Sequence, residues 1–126
     1  MALEENLMSG ELGLPPQVQE QLMRLQQMQQ TLQAVSIQRQ QLELELNEVE
    51  RAIEELEKAE DKSPVYKTTG SILIKVDKSR LLDELKERKE LLNTRITVLS
   101  KQEERAKSKV KELQAKLQER LRDMPK

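Results

Sequence analysis

The sequence contains neither cysteine nor histidine, and its only aromatic residue is Tyr66. Without a thiolate or an imidazole, the chain lacks the commonest nucleophile and general base of enzymes, and the usual ligands of zinc. The absence of Phe and Trp from 126 residues, of which 36% are charged, also removes the large side chains on which a compact core depends. We therefore expect a protein that is not an enzyme and that needs no metal or cofactor.

Long apolar runs are also missing. No stretch approaches the roughly 18 apolar residues of a membrane span, and residues 1–14 lack the basic start and apolar core of a signal peptide. Carboxylate pairs such as Glu54 and Glu55 alternate with Lys and Arg at helical spacing, which favours a solvated helix face over acid–base catalysis. We expect a cytoplasmic protein with no membrane partner.

Glycine and proline are scarce, and all seven lie outside two long periodic stretches. They divide the chain into a flexible N-terminal tail (1–14), a first helix (15–62), a β-hairpin segment (63–78), a second helix (79–124) and a C-terminal end (125–126). Ser79 is the predicted N-cap of the second helix. At about 1.5 Å per residue, each helix would be roughly 70 Å long.

Both helices carry heptad patterns, with apolar residues at alternating spacings of 3 and 4. The predicted seam of the first helix is Met28, Leu32, Val35, Arg39, Leu42, Leu46, Val49, Ile53 and Leu56, and Val18, Leu22 and Leu25 precede it at the same spacing. The predicted seam of the second helix is Leu82, Leu85, Lys89, Leu92, Ile96, Leu99, Glu103, Ala106, Val110, Leu113, Leu117, Arg120 and Met124. This pattern predicts a mainly α fold, a long antiparallel coiled-coil hairpin.

The distribution of charge supports the same fold. Residues 1–61 carry 4 basic and 13 acidic side chains, whereas residues 62–126 carry 18 basic and 10 acidic ones. The two halves therefore attract each other, which favours a chain folded back on itself. The basic stretch from Lys101 to Lys111 lies within the heptads and not upstream of them, so we expect no nucleic-acid partner.

The connector between the helices is rich in β-branched residues and predicts a β-hairpin. With Thr69 and Gly70 as the turn, Val65 would pair with Ile74, and both faces of the hairpin would be partly apolar. A lone hairpin of this kind is not stable, so we expect an obligate oligomer. The predicted interface consists of Val65, Tyr66, Ile72, Leu73, Ile74 and Val76.

A second group of apolar residues lies nearest the two free ends of the helices. Its members are Val18, Leu22, Leu25, Met28, Leu113, Leu117, Leu121 and Met124. Either these residues simply close the coiled coil, or frayed ends expose them to a client protein. Flexible Leu and Met side chains suit a surface that accepts many shapes.

Three features together resemble the β-class subunit of archaeal prefoldin, also called GimC: a Gln-Leu-rich first helix, the hairpin VYKTTGSILIKV, and the run KQEERAKSKVKELQ in the second helix. The resemblance covers about residues 15–124. It implies a heterohexamer of two α and four β subunits, in which the hairpins assemble into a double β-barrel platform that carries six coiled-coil tentacles. It further implies a chaperone that holds unfolded proteins at the tentacle tips without ATP and passes them to a group II chaperonin.

The basic free end suggests how the chaperonin would be recognised. Residues 99–126 carry nine basic and five acidic side chains. Lys116, Arg120 and Arg122 are the predicted docking residues for an acidic surface of the chaperonin. The alternative function is a structural coiled-coil scaffold or tether with a fixed protein partner.

Overall fold

The computed structural model describes residues 13–124, so most of the expected tail and the C-terminal end at 125–126 lie outside the described residues. Helix α1 spans Pro16–Lys58, strands β1 and β2 span Val65–Thr69 and Ile72–Val76, and helix α2 spans Lys78–Arg122. The predicted fold class is confirmed: two long helices flank a two-stranded antiparallel hairpin.

All four helix boundaries differ from the predicted ones, since α1 spans Pro16–Lys58 and not 15–62, and α2 spans Lys78–Arg122 and not 79–124. Helix α1 ends at Lys58 and not at Lys62, and the backbone N–H of Ser63 donates to the Glu60 carbonyl at 3.0 Å in a turn before Pro64. The N-cap of α2 is Asp77 and not Ser79, because the Asp77 carboxylate accepts the backbone N–H of Arg80 at 3.2 Å. A carboxylate also stabilises the positive end of the helix dipole, which a serine does not.

The chain divides into two compact units. The first unit, here called the terminal unit, joins residues 13–37 to residues 100–124. Its core consists of Leu25, Val110 and Leu113, with Met28, Leu32 and Leu117 packed against them. Leu25 on α1 meets Leu113 on α2, and the earlier residue Gln17 bonds the later residue Arg120, so the two helical segments run antiparallel.

The second unit, the hairpin unit, consists of residues 38–99. Its core consists of Val49, Ile53 and Leu92, and Leu92 has no exposed surface. Leu42, Leu46, Leu82 and Leu85 pack around this core. Ion pairs from Arg88 to Glu45 and from Lys86 to Glu57 (3.7 Å) link the acidic first half of the chain to the basic second half, as the charge asymmetry predicted.

Burial follows the predicted heptads. The ten buried residues of the described part all occupy predicted seam positions: Val18, Leu25, Val49, Ile53, Leu56, Leu92, Glu103, Ala106, Val110 and Leu113. Glu103 is the one charged residue among them, and its carboxylate lies 3.8 Å from the Lys107 ammonium. The seam therefore forms by removing an apolar stripe from water, which is the main source of stability for a helix pair of this kind.

The register of the hairpin corrects the prediction by two residues. Val65 pairs with Val76, not with Ile74, and the turn is Gly70–Ser71. Gly70 has a φ of +62°, and no other residue of the turn has a positive φ, which is the pattern of a type II′ turn with glycine at its first central position. Because the shift is two residues, each strand side chain remains on the face where the prediction placed it.

Candidate functional site

The hairpin surface is the set of apolar strand side chains Val65, Tyr66, Ile72, Leu73, Ile74 and Val76, which are the predicted interface residues. Four of them, Tyr66, Ile72, Leu73 and Ile74, are between 47% and 68% exposed, and the two valines at the base of the hairpin are half-buried. Apolar side chains grouped and exposed in this way are typical of a surface that a protein partner covers.

Strand pairing sorts this surface into two faces. Val65, Ile72, Ile74 and Val76 share one face with Lys67 and Thr69, whereas Tyr66 and Leu73 share the other. Within the described residues β1 and β2 pair only with each other, so each strand keeps one edge of unpaired N–H and C=O groups. The hairpin thus offers both apolar faces and hydrogen-bonding edges to further strands.

Two lysines hold the hairpin segment in place. The ammonium of Lys78 donates to the Ala59 carbonyl at 2.7 Å and to the Asp61 carboxylate at 3.1 Å, so it caps the end of α1 from the first residue of α2. The ammonium of Lys67 on β1 donates to Glu84 on α2 at 3.1 Å.

Neither lysine was predicted from the sequence, although the position of Lys78 at the start of a helix is a signal. A lysine at a helix N-terminus opposes the helix dipole, which points to a specific partner elsewhere.

The open end comprises residues 13–28 and 113–124 of the terminal unit, where the predicted client-binding residues lie. Val18, Leu25 and Leu113 are buried in the interhelical seam, with 2% to 7% of their surface exposed. Leu22, Met28, Leu117 and Met124 are half-buried. Only Leu121, at 45%, is exposed, and it is joined by Met23, which the sequence analysis did not select.

A groove of about 680 Å³ lies at the open end, between the start of α1 and the last turns of α2. Its lining residues are Pro15, Gln17, Val18, Gln21, Lys116, Glu119, Arg120, Asp123 and Met124. The groove therefore combines three apolar lining residues with a charged rim of Lys116, Glu119, Arg120 and Asp123, whose charges cancel.

Two of the three predicted docking residues, Lys116 and Arg120, belong to this rim, and Arg122 is exposed nearby. Arg120 donates to the side-chain carbonyl of Gln17. The ammonium of Lys116 lies 3.1 Å from Glu112.

The hydrogen bond from Lys116, together with the positive charge of Lys109, lowers the pKa of the exposed Glu112 carboxyl below its ordinary value of 4.5. The positive charge of Lys116 is thus shared with a neighbour, while Arg122 has no ion pair within 4.0 Å among residues 13–124.

Residues 13–124 hold neither a metal-binding cluster nor a membrane-spanning helix. They contain no cluster of three or more acidic side chains arranged to hold a metal ion. Neither helix in this range has a stretch both long and apolar enough to cross a membrane.

Comparisons with known proteins agree with the fold and the hairpin. The sequence model of the family described as "Prefoldin subunit" matches residues 19–124. Prefoldin subunit beta of Methanothrix thermoacetophila is 49% identical over 118 residues, which cover 94% of this chain and 97% of the relative. The Archaeoglobus fulgidus protein of the same name is 49% identical over 105 residues, 83% of this chain and 90% of the relative. The crystal structure of the prefoldin beta subunit from Thermococcus strain KS-1 superposes with a TM-score of 0.78 at 43% identity, covering 87% of this chain and 96% of the other. The chain therefore belongs to the prefoldin family, among its β subunits.

Proposed function

We propose that this chain is the β subunit of an ATP-independent holdase, which binds unfolded proteins at its open end and delivers them to a group II chaperonin. The observation that carries the proposal is the hairpin surface, with four large apolar side chains exposed on a chain of the prefoldin family. A surface of this kind requires partner strands, and the family supplies partner subunits.

Assembly would use the hairpin surface. In the expected complex of two α and four β subunits, each hairpin edge accepts a strand of a neighbouring subunit, and the apolar faces fill the interior of a β-barrel platform. Burying Ile72, Leu73 and Ile74 removes from water the largest exposed apolar side chains of the strands. At about 25 cal/mol per Å² of buried apolar surface, several such side chains per interface suffice for a stable complex.

Client binding would combine two sources of apolar surface at the open end. Leu121 and Met23 are exposed in the closed helix pair and are available directly. Val18, Leu25 and Leu113 become available only when the last turns of the helices separate, and helix ends open at a small free-energy cost. The half-buried Leu and Met residues between these two groups adapt to different client sequences.

Delivery to the chaperonin would depend on the basic residues of the open end. Lys116, Arg120 and Arg122 lie on the last two turns of α2, where an acidic surface can approach them. Exposed charges chiefly increase the rate of encounter, and salt screens them beyond about 8–10 Å.

A pair of matched substitutions tests the holdase function on the assembled complex. Leu121→Ser removes an exposed leucine at the open end, whereas Ile37→Ser removes an equally exposed isoleucine outside it. We expect Leu121→Ser to weaken binding of a chemically denatured client about fivefold, which corresponds to about 1 kcal/mol of lost apolar contact. We expect Ile37→Ser to leave client binding unchanged.

The assay is suppression of aggregation, measured by light scattering for several unrelated denatured proteins at low and high salt. Equal effects of the two substitutions would exclude the open end as the client site. Protection of one protein and no other would instead support a tether with a fixed partner.

A further inference from the structure

The groove of the open end lies beside the first residues that the structure describes. Gly13, with a φ of +75°, and Leu14 lead into Pro15, which lines the groove. The Gln19 side-chain amide donates to the Leu14 carbonyl at 2.9 Å and holds this entry against the first turn of α1. The twelve residues that precede Gly13 are therefore attached at the edge of the groove.

Those twelve residues, MALEENLMSGEL, have a charge opposite to that of the terminal unit. They contain three glutamates and no lysine or arginine. In the terminal unit, residues 100–124 carry eight basic and five acidic side chains, and residues 13–37 carry one of each. The described part of this unit therefore has a net side-chain charge of +3, whereas residues 1–12 have −3. At the open end itself the excess is one positive charge, because Glu20, Glu119 and Asp123 offset three of its four basic side chains. The attraction is therefore modest and is strongest at low salt.

The apolar character of the two partners also matches. Leu3, Leu7, Met8 and Leu12 give the twelve-residue segment a client-like composition. The groove offers the half-buried Met124 and the ring of Pro15, next to the rim formed by Lys116, Glu119, Arg120 and Asp123.

We propose that residues 1–12 of this chain occupy the groove of their own subunit and compete there with client segments. Twelve residues reach at most about 40 Å, which is ample for a groove that starts at Pro15. A short tether gives an effective concentration in the millimolar range, so even a weak contact is populated. The competition rests on the proposed holdase function, whereas the docking itself does not.

A disulfide test examines the docking. The chain has no cysteine, so Asn6→Cys with Glu119→Cys introduces one unique pair, and Glu119 is exposed and lines the groove. In the assembled complex under mild oxidation, we expect a disulfide within one chain, visible as a shifted monomer on a non-reducing gel. The matched control adds Glu4→Lys, Glu5→Lys and Glu11→Lys, which reverse the segment's charge and should slow the disulfide at least about threefold at low salt.

Equal rates with and without the charge reversal would overturn the docking. Disulfides that join two chains would show that the segment of a neighbouring copy fills the groove and would overturn its occupation from within the same subunit.

A binding test examines the competition. We compare the full chain with a chain lacking residues 2–12, both in the assembled complex, using a fluorescent denatured client. If the segment fills the groove four-fifths of the time, its deletion should lower the client Kd about fivefold. A synthetic peptide of residues 1–12 added to the shortened complex should raise the Kd again.

An unchanged Kd after deletion would overturn the competition. Absence of client binding by both forms would instead refute the proposed holdase function and would leave the result of the disulfide test intact.

Discussion

Leu92 offers the sharpest test of the helix packing, because it has no exposed surface and packs against Val49 and Ile53 in the core of the hairpin unit. Leu92→Ala should cost about 3 kcal/mol of unfolding free energy, from the lost transfer of the side chain out of water and from the cavity that remains. Its neighbour Leu91 provides a matched control, since it is 48% exposed. Leu91→Ala should change stability by less than about 0.5 kcal/mol, because alanine is the better helix former.

The assay is urea unfolding followed by circular dichroism at one fixed chain concentration. With a urea dependence of about 1.5 kcal/mol per molar, Leu92→Ala should lower the midpoint by about 2 M. Leu91→Ala should leave the midpoint within a few tenths molar. Similar losses in both variants would show that the seam is misplaced. A difference between them that varies with chain concentration would show that assembly, and not packing within the chain, is responsible.

Three further substitutions test other parts of the chain. Ile74→Asp should prevent assembly and leave the helix content intact, because it would bury a charge between subunits. Sedimentation velocity would show the loss of the oligomer. Ser71→Asp in the turn is the control, and an equal effect of this substitution would refute the placement of the interface on the strands. Lys78→Met should destabilise the chain by about 1–2 kcal/mol, because the Ala59 carbonyl after the end of α1 loses its donor. Amide hydrogen exchange in the residues that follow α1 should become faster. An unchanged exchange rate would contradict this role of Lys78. Since the Lys116 hydrogen bond lowers the folded pKa of Glu112, its contribution is present above pH 4.5 and is lost as the pH falls through the folded value. Glu112→Gln should therefore make the stability depend less on pH in this acidic range. If the variant and the original protein lost stability identically as the pH falls, a stabilising Glu112–Lys116 pair would be excluded.

The fold was largely predictable because each element leaves its own periodicity in the sequence. The heptad positions of Val49, Ile53 and Leu92 became the core, since a stripe at spacings of 3 and 4 faces a partner helix whatever the details of packing. The hairpin register was predicted wrongly, because the two-residue loops Thr69–Gly70 and Gly70–Ser71 both contain the glycine. Only the second puts it at the first central position of a type II′ turn.

The candidate site was predictable to a smaller extent. The hairpin surface could be foreseen because a two-stranded sheet has no second layer in which to bury Ile72 or Leu73. At the open end, nearness to the free ends of the helices places Val18 and Leu121 in one apolar group, but the first is 2% and the second 45% exposed. Val18 is on the predicted seam, whereas Leu121 is one residue beyond the seam position Arg120, so the heptad pattern separates the two and nearness to the end does not.

The hairpin surface also has a consequence for the synthesis of the protein. A copy made in excess of its partners keeps apolar strand faces and unpaired edges open to solvent, and these are the features through which β-rich proteins aggregate. If partner subunits cover this surface, as proposed above, their balanced production is what keeps surplus copies of this chain from aggregating. An imbalance would turn surplus copies into substrates for the cell's own proteases and chaperones.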